Sequence, residues 1–128
     1  MAASLSLGSD EVRIIGHAIN WRLNVPYEHS SPSPLSEQEA ETLRSLFNDL
    51  CSLNRLCLSG LESVLVEIEE SYACGEGRLQ LPRRYYRLMT DAVASFFKEL
   101  RASPTELEVV TGSPSIKTSE LLSRLQAI

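Results

Sequence analysis

The chain is poor in the side chains from which most catalytic and metal centres are built. Among 128 residues there are two histidines, three cysteines and one tryptophan. An odd, sparse set of cysteines excludes a disulfide-built scaffold. Cys51 and Cys57 are six positions apart, on well-separated faces of any helix, so they cannot bridge locally. Reduced thiols in a cytoplasmic protein are expected. The two histidines, His17 and His29, fall short of the three or four ligands of a zinc site. No HExxH, CxxC or HxH spacing occurs, and neither glycine-rich phosphate-loop pattern is present. No metal or other cofactor is expected. Basic charge is also short: twelve Lys and Arg against seventeen Asp and Glu leave a net charge of −5. That argues against a general phosphate-binding surface, which needs concentrated positive charge. Apolar runs are only a few residues long, too short for a bilayer span.

What the chain does have is helical patterning. Residues 1–8 lack a basic segment followed by a long apolar one, so they are expected to be frayed rather than a secretory signal. Ser9-Asp10-Glu11 suits a helix start, and Val12, Ile15, Ile19 and Leu23 recur at helical spacing. A helix is expected over 10–24, ended by Pro26. Residues 25–36 hold three prolines and several serines and read as a surface connection. Ser36 and Glu39 form a capping box. Beyond it Leu43, Leu50, Cys57 and Val64 repeat every seven residues, with Leu46 and Leu53 between them. Either one helix runs over 37–73, roughly 55 Å at about 1.5 Å per residue, or two helices break at 58–60 beside Gly60. Cys74 to Gly77 ends this region. Helices are further expected over 82–101, over 106–111 after a Ser103–Glu106 capping box, and from Thr118 or Ser119 onward. The run 106–111 also suits a strand.

The fold class expected is therefore all-α: one domain over 1–128, four or five helices, with one long central helix or helix pair. Ile15, Ala18 and Ile19 match Met89, Ala92 and Val93, and Leu43 and Leu46 match Leu122 and Leu125. Degenerate duplication and coincidence of helical patterning both account for this.

Arg83-Arg84-Tyr85-Tyr86-Arg87 is the most unusual local feature. Arginine clamps carboxylates bidentately, and positive charge at a helix N-terminus opposes the dipole, so an acidic partner is called for. Helical spacing groups Arg83, Tyr86 and Arg87 outward and turns Tyr85 to the core. Arg83, Arg84, Tyr86 and Arg87 are the expected partner-binding residues. The candidate acids are Glu67–Glu70 of the same chain, another protein or a second copy, and a nucleic acid or other phosphate. Leu43, Leu46, Leu50 and Leu53 form the expected seam of a homodimer, because a long helix outruns the core that one small chain can supply.

No nucleophile–base or acid–base constellation appears, so a non-enzymatic interaction or adaptor module is expected, self-associating and cytoplasmic. A second reading is a small DNA-binding or regulatory protein that uses the tail. Residues 104–127 are similar to a helix-turn-helix: short helix, glycine turn, second helix. They depart from it at Ser113 and Pro114 and offer few basic side chains besides Lys117 and Arg124. A third reading is a metal-dependent enzyme using Glu62, Glu67, Glu69 and Glu70, whose helical spacing does not converge on one point.

Overall fold

The computed structural model describes residues 3–24 and 35–128. Among them, five helices accompany a four-stranded mixed sheet, so the all-α expectation is overturned. The elements run β1 (Ser4–Leu7), α1 (Ser9–Asn24), α2 (Glu37–Leu58), β2 (Val64–Ile68), β3 (Ala73–Gly75), β4 (Arg78–Leu81), α3 (Arg83–Leu100), α4 (Pro104–Thr111) and α5 (Ser115–Gln126). The connection expected over 25–36 lies outside the described residues except for Leu35 and Ser36.

The long helix ends where glycine permits it. Gly60 sits at φ +123°, a conformation that side chains with a Cβ avoid. Beyond it, residues 64–68 alternate rather than recur at 3.6: Val64, Val66 and Ile68 are buried, while Leu65 and Glu67 are half-buried. Alternation at period two is the signature of a strand with one covered face. The seven-residue spacing of Val64 from Cys57 is coincidental, since one is on a strand and the other on a helix.

The sheet order is β1-β2-β4-β3. β1 pairs antiparallel with β2, β4 parallel with β2, and β3 antiparallel with β4. The register lines up Leu5, Val66 and Leu79 in one row, so the apolar side chains share a face. Residues 1–8 are thus not uniformly frayed: Ser4–Leu7 form an edge strand held by β2, with Leu7 buried. The β3–β4 hairpin closes at the Gly75–Arg78 pair through Glu76 (φ +51°) and Gly77 (φ +80°). Positive φ at both central residues is the geometry whose twist matches the flanking strands. Neither sheet edge invites extension: β3 is only three residues long, and Arg124 of α5 donates to the Ser6 carbonyl of β1.

α1 is the hub of the helical layer, packing on both α2 and α3. The Trp21 and Phe96 rings meet edge to face, with centroids 5.9 Å apart. The capping box at Ser36 forms as expected: Ser36 Oγ accepts from Glu39 N at 3.1 Å, and Ser36 N donates to Glu39 Oε1 at 3.0 Å. The one at Ser103 does not: its side chain makes no capping bond. α5 begins at Ser115, so Thr118 is not a cap but a buried side chain whose Oγ1 lacks a hydrogen-bond partner among the described residues.

Arg13 staples the tail onto α1. Its Nε donates to the Thr111 carbonyl, and its Nη2 donates to Asp10 and Ser113, each at 2.9 Å. That satisfies a carbonyl at the α4 C-terminus, where the helix leaves carbonyls unpaired. Lys117 Nζ adds a 2.7 Å bond to Asp10, and this bond above all holds the Asp10 carboxyl below its usual range. A carboxylate with a depressed folded-state pKa stabilises the fold above its ordinary range and loses that contribution as pH falls through the folded value. These groups are over a third exposed, so the contribution is about 0.2–1 kcal/mol. Asp10→Asn is accordingly expected to melt a few degrees below wild type at neutral pH. The gap should narrow as pH falls below the ordinary carboxylate range. A gap that persists in acid would assign the effect to something other than the carboxylate charge.

Candidate functional site

α3 begins with charge set against its own dipole. Pro82 precedes it, no side chain caps it, and its first turn contains no acid. Arg83, Arg84 and Arg87 are exposed there. They border a cleft of about 450 Å³ whose remaining walls include Leu88 and Asp91 of α3 and Glu39 of α2. The Glu39 carboxylate is committed to its capping box, which holds it below its usual range. Among the described residues, no carboxylate oxygen lies within 4.0 Å of Arg83, Arg84 or Arg87. Of the expected acidic region, Glu67 is taken by Arg78 of the neighbouring strand.

The two tyrosines are reversed from expectation. Tyr86 is buried, and its hydroxyl donates to the Leu125 carbonyl at 2.6 Å, so it is not available to a partner. Burial pushes its phenol up. Tyr85 is half-buried: its ring lies 5.3 Å from that of Tyr72, and the Arg84 guanidinium stands 5.5 Å over it. Either tyrosine suits the helical stripe through Met89, Val93 and Phe96. The tail decides between them, because Leu125 supplies the acceptor that a buried hydroxyl needs.

The expected dimer seam is spent inside the chain. Leu43, Leu46, Leu50 and Leu53 are each at most 1% exposed and belong to the core shared with α1. A chain of this length covers them because the helix stops at Leu58 and is not left overhanging.

The other sequence candidates disperse. His17 is half-buried on α1, and His29 lies outside the described residues. Glu62 lies in the α2–β2 connection and Glu67 on β2, and no group of three or more His, Cys, Asp or Glu side chains that could hold a metal occurs among the described residues. α4 and α5 do flank a turn at Gly112, but Lys117 is bound to Asp10 and Arg124 to Glu11. No described helix is long and apolar enough to cross a membrane. A second groove, of about 350 Å³ between α1 and α2, was not legible in the sequence: it brings His17 and Asn20 together with Cys51 and Asn54. The only hint is that His17 and Asn20 are three apart on one helix face.

Beside the arginines, the Tyr72 hydroxyl donates to Asp49 on α2, tying the β2–β3 connection to the helical layer. Burial raises the Asp49 carboxyl. No protein family, curated protein or solved structure matches the chain.

Cys74 is the one exposed cysteine of the three. Burial of its sulfur, and then the Asp49 charge, push the thiol up. Since the thiolate is the nucleophile, exposure here does not mean reactivity. Iodoacetamide is expected to label Cys74 more slowly at pH 8 than an unhindered cysteine peptide, and Asp49→Asn is expected to speed the reaction modestly. Labelling as fast as the peptide would contradict the shift.

Proposed function

We propose that the protein is a non-enzymatic interaction module that captures a carboxylate-bearing partner on Arg83, Arg84 and Arg87. One observation supports this reading above the others. In a chain of net charge −5, three exposed arginines stand together at a helix N-terminus with no ion-pair partner among the described residues. Their mutual repulsion and the helix dipole both favour an incoming anion. A second copy of the chain is one acidic surface of this kind, with Glu62, Glu70 and Glu76 exposed. Self-association would then run from the arginine face to acidic surface, not through the buried leucines. Three cysteines outside any disulfide suit a reducing, cytoplasmic setting. The helix-turn-helix reading is less well supported, because the basic side chains of α5 are engaged within the chain.

Titration with poly-glutamate tests the face directly. Binding is expected at low salt, weakening steeply as salt rises. The Arg83→Glu/Arg87→Glu variant should bind at least tenfold more weakly with its circular dichroism unchanged. Sedimentation equilibrium of the same pair of proteins reads out self-association. If poly-glutamate binding and assembly mass are both identical in the double variant, the arginines are only solvated and the reading fails.

A further inference from the structure

The α1–α2 groove plays no part in the arginine reading. It is a concavity of about 350 Å³, near the lower end of the range of small-molecule sites. We propose that it binds an uncharged heterocycle of nucleobase size, one that presents an amide-like hydrogen-bonding edge. The groove's apolar part comes from Val12 and Leu50, both buried, and the half-buried Phe47. Such a surface suits the face of a flat ring. The polar part comes from His17, Asn20 and Asn54, joined by the half-buried Cys51 thiol.

The charges available select the ligand class. Arg13 reaches the groove, but its guanidinium is already held by Thr111, Asp10 and Ser113. Among the described residues no Asp or Glu lines the groove, so none of them favours a cation. Burial, and then the Arg13 charge, hold the imidazole of His17 below its usual pKa, so it is neutral at physiological pH. A neutral imidazole and two carboxamides each pair a donor with an acceptor. Asn20 Oδ1 already accepts from Asn24 at 3.1 Å, which leaves its NH₂ group to donate. A wholly apolar ligand would strip water from these groups without replacing its hydrogen bonds. A ring with alternating C=O and N–H groups replaces them.

Gly16 keeps the groove open. A Cβ built there meets no heavy atom within 4 Å, so a larger side chain at this position enters empty space rather than the core.

Two-dimensional ¹H–¹⁵N NMR titration of the full chain tests the proposal, with uracil and nicotinamide as probes and benzoate and toluene as controls. Saturable shifts are expected at His17, Asn20, Cys51 and Asn54 with at least one of the two heterocycles. Benzoate and toluene should each bind at least tenfold more weakly than that heterocycle. Gly16→Leu should lower its affinity at least tenfold while the thermal midpoint stays level or rises. Asn54→Leu, at a half-exposed rim position, should lower it independently. The proposal is overturned if neither heterocycle gives a saturable shift. It is equally overturned if benzoate or toluene binds as tightly, or if both variants bind as wild type does.

Discussion

β2 is the strand on which the rest of the chain hangs. It is hydrogen-bonded on both sides, to β1 from the N-terminus and to β4 from the second half of the chain, and so joins the two halves. Val64, Val66 and Ile68 direct three branched side chains into the core. Each contributes about 1.5–3 kcal/mol by burial. The pairing also fixes where two helices start. One residue, Gly8, separates β1 from α1, and one residue, Pro82, separates β4 from α3. Once β1 and β4 flank β2, the first turns of α1 and α3 are delivered to the same layer, and α1 can pack on α3.

The helical layer was legible in the sequence because its signals are local. Ser36 and Glu39 specify one another across a single turn, and the leucines of α2 mark its buried stripe without reference to any partner. β2 was hidden for a physical reason. Its apolar side chains continue the count of seven begun on α2, and no proline interrupts the run. What separates helix from strand there is the backbone at Gly60 and the pairing with Ser4–Leu7, some sixty residues away. Seam and interface were confused for the same reason: a stripe of leucines says that something covers it, not what does. The arginine cluster was visible as charge. Its cleft was not, since Glu39 and Leu88 meet only through the packing of α2 and α3.

The matched positions of the two halves extend further in space than in sequence. A shift of 74 positions carries Ser4 onto Arg78 and Ser9 onto Arg83, so strand, single-residue link and helix repeat in step. Leu7 and Leu81, Val12 and Tyr86, Ile15 and Met89, Ala18 and Ala92, and Ile19 and Val93 are all buried. The two units flank β2 with opposite strand directions, since β1 is antiparallel to it and β4 parallel.

The same shift relates the two clefts and explains why they differ in charge. Arg13 of the first unit corresponds to Arg87 of the second, and His17 to Asp91. In the first unit the arginine has Asp10 three residues before it and the C-terminus of α4 beside it, and both engage its guanidinium. In the second unit the residue three before Arg87 is Arg84. An acid in the first helical turn, favourable to both the dipole and the arginine, is thereby replaced by a base that opposes both. With Ser9 matched by Arg83 and Glu11 by Tyr85 as well, three positions of the first turn separate a self-neutralised helix start from a cationic one. The first groove is left with neutral hydrogen-bonding groups at its rim, and the second is left with positive charge. The two βα units thus present surfaces of different chemistry.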